Sequence, residues 1–171
     1  MNFEYAHLLP EDFNKNAKVW IYQSSRMFGL SEALQLESLL FDFVEEWESH
    51  GAAVKGYANL LFGQFIVFMA DDTDATICGR SIDSIARFVK DVEQKFSISL
   101  LDRQSLAFIV KDKIQLLPLT QLKYGIENKF ISPETLYFNN LVTDKKSFLT
   151  NWIIPAKNSW LAAKLDFIQT T

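Results

Sequence analysis

Cys78, the only cysteine of the 171-residue chain, stands in the stretch "DATICGRSID", residues 74–83. A thiol becomes nucleophilic when a neighbouring imidazole or a helix N-terminus stabilises its thiolate. The residues that could do this are His50 and a helix starting at Ser81-Ile82-Asp83. Four acids, Asp71, Asp72, Asp74 and Asp83, lie close in sequence and would oppose ionisation of the thiol. The same helix start allows a second chemistry. The backbone N–H groups of Gly79, Arg80 and Ser81, with the Arg80 charge, could receive a phosphate or carboxylate. The acids allow a third, a hard-cation site, but the regular ligand alternation and late Glu of a calcium loop are missing.

A second group of polar residues lies elsewhere in the chain. Arg26 in "QSSR" and Asp102-Arg103 in "LLDR" could form an ion-pair network or grip a carboxylate, since a guanidinium forks onto two oxygens. Asn139 and Asn140 in "YFNNL" add hydrogen-bonding groups that also suit a turn. The ligand-binding candidates are therefore Arg26, Gly79, Arg80, Ser81, Asp83, Arg103, Asn139 and Asn140. No catalytic set and no metal-ligand set is assigned, and the residues name no cofactor. The phosphate loop G-x-x-x-x-G-K-[ST] is missing, as are G-x-G-x-x-G, C-x-x-C, H-E-x-x-H and G-x-S-x-G. With two His and one Cys, a thiolate–imidazole zinc site has too few ligands.

These residues must be held by elements that hydrophobic periodicity identifies. "KVWIYQ", 18–23, reads as a strand. In "LSEALQLESLLFDFVEEWESHG", Leu36, Leu39, Leu40, Phe43, Val44 and Trp47 recur at helical spacing. Ser31 is the expected N-cap, Glu32 sits in the first turn and Gly51 is the expected C′ residue. Two strands, 56–62 and 65–70, flank a hairpin at Gly63-Gln64. A second helix carries Ile82, Ile85, Val89, Val92 and Phe96 on one side, with Ser81 as expected N-cap and Asp83 in the first turn. "SLAFIVKDKIQLLPL" predicts two more strands around Asp112-Lys113, with Pro118 ending the second or placing it at an edge. Beyond them come a short helix from Thr120, a strand in "ETLYFNNLV", a helix over "DKKSFLTNW" and a last helix in "SWLAAKLDFI".

The order β-α-β-β-α-β predicts an α+β chain with a ferredoxin-like centre. Its antiparallel sheet would carry both helices on one face, with one extra strand and a helical C-terminal extension. No linker or repeat is evident, so residues 1–171 read as a single domain. Residues 1–17 form an irregular lead-in, 18–111 the βαββαβ unit and 112–171 the extension. This topology puts the "CGRSID" loop at the same end as His50-Gly51, with Arg26 and Arg103 at the other.

Composition narrows the function. The net charge is −4 and no basic stripe exists, so nucleic acid is not an expected partner. The N-terminus lacks signal-peptide pattern, and the densest apolar run, 65–70, is far short of the ~20 residues of a membrane helix. A soluble cytoplasmic protein without a membrane partner is expected.

The motifs "VWIYQSSRMF", "FVEEWESHG", "QFIVFMAD", "CGRSIDSIARFVKDVEQKF", "LLDR", "LYFNNLV" and "NWIIPAKNSW" follow in an order that resembles a small Bacteroidetes protein family labelled "ABC transporter ATPase". The resemblance spans roughly residues 18–160. ATPase activity has no support in these residues, because the Gly-rich loop with its lysine and the LSGGQ-type signature are both missing. The family carries Gly-Cys-Ser-Ile-Asp at the helix start and Ser-Trp-His near its end. Here Arg80 directly precedes Ser81, and Ser159-Trp160 is followed by Leu161. The resemblance implies a shared polar set of Arg26, Ser81, Asp83, Arg87, Arg103, Asn139 and Asn140. The leading expectation is non-catalytic binding of a small ligand or a protein partner. The alternatives are an enzyme using a polar pocket at the start of the second helix, and a structural homo-oligomer.

Overall fold

A computed structural model describes residues 1–73 and 77–164. The chain is α+β with antiparallel sheets and divides into two compact units. The larger comprises Glu4–Leu101 and Val142–Leu149; the smaller comprises Met1–Phe3, Asp102–Leu141 and Thr150–Thr171.

The larger unit is built on β1 (Lys18–Gln23), β4 (Lys55–Leu61) and β5 (Phe65–Asp71), in the order β1-β5-β4. The β5 strand lies antiparallel to both neighbours, with Val19 opposite Met69 and Ala58 opposite Phe68. Every residue of β5 is buried, which explains why "FIVFMA" is a continuous apolar run instead of an alternating one. Helices α1 (Leu30–Glu45) and α2 (Gly79–Phe96) cover one face of this sheet. Leu36 and Leu40 of α1 and Ile85, Val89 and Val92 of α2 pack with Ile66, Phe68 and Ala70. Phe43, Phe68 and Phe88 join the three elements, with ring centroids 4.9–5.8 Å apart.

The expected four-stranded ferredoxin-like sheet is not found: the strands divide among separate sheets, and the expected fourth strand, β6 (Ser105–Val110), does not pair with β1. In the smaller unit, β6 lies between β7 (Lys113–Pro118) and β8 (Leu136–Phe138), and β8 pairs with β9 (Ile153–Pro155). The β6 strand pairs along its full length with β7 and through Phe108 and Ile109 with β8, so both of its edges are occupied by partners other than β1. Leu106, Phe108, Leu122, Ile131 and Tyr137 form a separate core there, which includes α3 (Leu122–Glu127). Helix α4 (Lys145–Asn151) lies between β8 and β9 in the chain.

Both expected N-caps move. Gly29, not Ser31, caps α1, and the Glu32 carboxylate accepts the Gly29 N–H at 2.8 Å. Cys78, not Ser81, stands at the N-cap of α2, which places Asp83 beyond the first turn. The first helix also ends earlier than its apolar stripe implies. Residues Glu48–Ser49 (β2) turn back onto Ala52–Ala53 (β3) through His50 and Gly51, whose φ values are 54° and 79°. Two successive left-handed residues are what a two-residue hairpin demands, and glycine meets that demand without strain. The last expected helix, in "SWLAAKLDFI", lies partly outside the described residues, as does Asp74.

Candidate functional site

The start of α2 is positioned by Trp47. The apolar stripe of α1 carries this ring past the helix end, where it is 2% exposed. Its ring lies against Trp20 and Phe43, at centroid distances of 6.2 and 5.3 Å. The Trp47 indole Nε1 donates to the Ser81 carbonyl at 3.1 Å, tying the α1 exit to the first turn of α2. Gly56 in β4 makes room for the ring. A Cβ there would come 2.6 Å from Trp47 Cε3.

The β2 strand completes the cradle. The Ser49 hydroxyl accepts the Cys78 N–H at 3.2 Å, and the Ser81 hydroxyl donates to the Glu48 carbonyl at 3.0 Å. The expected proximity of the "CGRSID" loop and the end of the first helix is therefore present, with Ser49 as the contact residue. His50 itself is exposed and makes no hydrogen bond to Cys78.

The Cys78 thiol is half-buried, 3.4 Å from the Ser81 hydroxyl. The Ser49 and Ser81 hydroxyls and the N–H groups of Ser81 and Arg80 favour the thiolate. Burial works against them, and the balance draws the thiol down to about 6. This reverses the effect expected from the nearby acids. Asp71 is committed to the Asn14 and Thr73 N–H groups and to Lys55, and Asp72 pairs with Lys18. Ser81 has a single hydroxyl proton, which the Glu48 carbonyl also attracts. Ionisation of Cys78 therefore has to turn that proton toward sulfur. Two of the three N–H groups proposed for an external anion, those of Arg80 and Ser81, are instead faced by the cysteine's own sulfur, and Ser81 is fully buried.

Arg80 and Arg87 are differently placed. Both are exposed, and neither makes a hydrogen bond or ion pair among the described residues. They stand seven positions apart on α2, about 10 Å along its axis, with Asp83 between them. With Phe43, Ser84, Phe88 and Asp91 they line an open groove between the end of α1 and the first half of α2. Glu46 and Glu48 form its acidic rim.

The other sequence candidates lie apart from this groove. Arg26 is engaged by protein: it forks onto Glu32 at 2.7 and 2.8 Å and donates to the carbonyls of Met27 and Phe96. The Phe96 contact puts Arg26 at the far end of α2 from Gly79, as the topology predicts. Arg103, Asn139 and Asn140 belong to the smaller unit. The Asn140 Oδ1 accepts the Trp152 indole N–H at 2.9 Å, and the Asn139 Nδ2 donates to the Asn151 carbonyl at 3.2 Å. The Asn139 Oδ1 is buried without a partner. Arg103 is exposed. Gly79 has open space around its Cα, so no steric demand selects glycine there.

The roles of Trp47, Ser49, Phe43 and Phe88 at the α2 start are not apparent from the sequence pattern. The sequence did hold a signal for the groove, the i, i+7 repeat of Arg80 and Arg87 beside Phe88. Among the described residues, no group of three His, Cys, Asp or Glu side chains could hold a metal ion, and no helix is long and apolar enough to cross a membrane. No family model matches the chain, and neither does any curated protein or solved structure.

Proposed function

We propose that the protein is a non-catalytic binding module whose groove takes a small organic anion. Its phosphate or carboxylate would lie between Arg80 and Arg87, and its apolar body would lie against Phe43 and Phe88. One observation carries this reading: two guanidinium groups on one groove wall without partners among the described residues, in a unit whose Arg26 is engaged by Glu32 and the Phe96 carbonyl. A guanidinium fork matches a planar or tetrahedral anion, and an aromatic wall adds contact area. The test is a thermal-shift titration with phenyl phosphate, inorganic phosphate and phenol. Phenyl phosphate is expected to stabilise most, by about 2.7 kcal/mol at a hundred times its Kd. Loss of that shift in Arg80→Gln/Arg87→Gln supports the site; an unchanged shift contradicts it.

A second reading is favoured by Cys78, whose thiolate is accessible near neutral pH and would make this end of α2 an enzyme's nucleophile. The missing partner is a base, since His50 makes no hydrogen bond to the sulfur. Turnover of an activated acyl ester, lost in Cys78→Ser, would favour this reading over pure binding.

The family resemblance and a cytoplasmic location belong to the same proposal. The motif order supports the first, and the net charge of −4 with one cysteine supports the second. The β1-β5-β4 order with two helices on one face supports a partial kinship of the larger unit with the ferredoxin-like class.

A further inference from the structure

The outer face of α1 carries an apolar stripe that the core does not use. Leu30, Leu34 and Phe41 are 80%, 58% and 66% exposed. At 100° per residue they fall within about 40° of one another, on the side away from buried Leu36 and Leu40, and run about 16 Å along the axis. The stripe is bordered by acids. Glu37 interrupts it and Glu45 flanks it in the last turn, while Asp42 and the C-cap residue Glu46 lie farther round the same end of the helix. None of these four carboxylates makes a hydrogen bond or ion pair among the described residues. The helix holds no Lys or Arg, and its last turn has no basic residue. Carboxylates at a helix C-terminus oppose the macrodipole, so this end holds uncompensated negative potential beside exposed apolar surface. Local choices that conflict with helix stability are expected at functional surfaces.

We infer that this face docks a basic amphipathic helix of a protein partner. Its apolar side chains would seat on Leu30, Leu34 and Phe41, and its Lys or Arg residues would lie over Asp42, Glu45 and Glu46. A second copy of α1 does not fit, because it brings only like charge in either orientation. The positive N-terminal end of the partner helix belongs over the acidic end of α1, which makes the pairing antiparallel. This surface is separate from the groove of Arg80 and Arg87, apart from the shared rim residue Glu46, and the inference stands without that reading.

The probe is a fluorescein-labelled peptide of about 20 residues, long enough to form a helix. It carries Leu at helical spacing and Lys clustered in its N-terminal half, and a scrambled peptide of the same composition is the control. Fluorescence anisotropy is read on the full chain, at low and high salt. The expected result is saturable binding that weakens with salt and falls about tenfold or more in Leu34→Ser/Phe41→Ser, as for a central apolar anchor. Asp42→Asn/Glu45→Gln is expected to weaken it several-fold, and Phe41→Leu to retain it. The substituted side chains are exposed, so unchanged far-UV circular dichroism verifies folding. Equal binding of the scrambled peptide, equal binding by Leu34→Ser/Phe41→Ser, or no binding overturns the inference. Self-association of the wild type that Phe41→Ser abolishes also overturns it, in favour of a second copy.

Discussion

Replacing Gly56 by alanine tests whether Trp47 sets the geometry of the α2 start. The added Cβ would lie 2.6 Å from Trp47 Cε3 and 3.0 Å from Cζ3, inside contact distance. The indole is 2% exposed and has Trp20 and Phe43 against it, so it cannot swing away freely. Overpacking of this kind costs about 1–3 kcal/mol. Gly56 has no left-handed φ, so alanine itself is tolerated by the backbone and stabilises through the unfolded chain by about 0.4–1 kcal/mol. The sign of Gly56→Ala therefore depends on the ring. In wild type it destabilises; in a Trp47→Leu background, where the clash is gone, it is neutral or stabilising. The chain-entropy gain cancels between the two backgrounds, so the expected coupling is the overpacking cost itself, roughly 1–3 kcal/mol, above the ~0.5 kcal/mol of independent sites. Hydrogen exchange of the buried β5 amides reads the larger unit's stability. Equal cost of Gly56→Ala in both backgrounds would refute the reasoning. A second readout follows from the indole's bond to Ser81: in Gly56→Ala, alkylation of Cys78 is expected to require higher pH.

Other consequences can be checked separately. The pH profile of iodoacetamide labelling at Cys78 is expected to turn at about 6, and Ser49→Ala should move it upward; a turn near that of free cysteine would contradict the cradle. Glu32 is held at about 2, chiefly by the Arg26 guanidinium and then by the Gly29 N–H. Asp71 also lies at about 2: burial pushes it up, but the Thr73 hydroxyl, the Asn14 and Thr73 N–H groups and Lys55 outweigh it. Both carboxyls are depressed below their unfolded values near 4, so their stabilisation is complete above roughly pH 5 and is lost as pH falls toward 2. Chemical denaturation at neutral and acid pH should show Glu32→Gln and Asp71→Asn each flattening that fall. Lys145 is buried, and its ammonium donates to the carbonyls of Pro10 and Phe13 at 2.6 and 2.9 Å. Lys145→Met leaves those acceptors unpaired and is expected to cost about 2–4 kcal/mol, read by the same hydrogen exchange.

The α+β class and most elements were legible because their signals are local. Short β-rich apolar runs and helical spacing marked β1, α1, β4, β5 and α2 within a few residues. The partner of β6 was not legible. A strand's local sequence does not record which strand receives its hydrogen bonds, and β6 is paired with its hairpin neighbour β7 and with β8 instead of β1. The caps were misplaced because capping preference ranks Ser above Gly and Cys. The ion pair of Arg26 with Glu32 and the contact of Ser49 with Cys78 fixed the helix starts instead. Arg26 and Arg80 looked alike in the sequence. Only packing reveals that one is engaged by Glu32 and the Phe96 carbonyl while the other faces open groove. The i, i+7 spacing of Arg80 and Arg87 could be read directly, but the wall of Phe43 needed the α1–α2 contact, which no local pattern encodes.

Isothermal titration of phenyl phosphate against wild type and Arg80→Gln/Arg87→Gln tests the groove most directly. Saturable binding by wild type, weakened at least about tenfold in the double variant (~1.4 kcal/mol or more), is the predicted result. No binding to wild type, or equal binding to both proteins, would contradict the account.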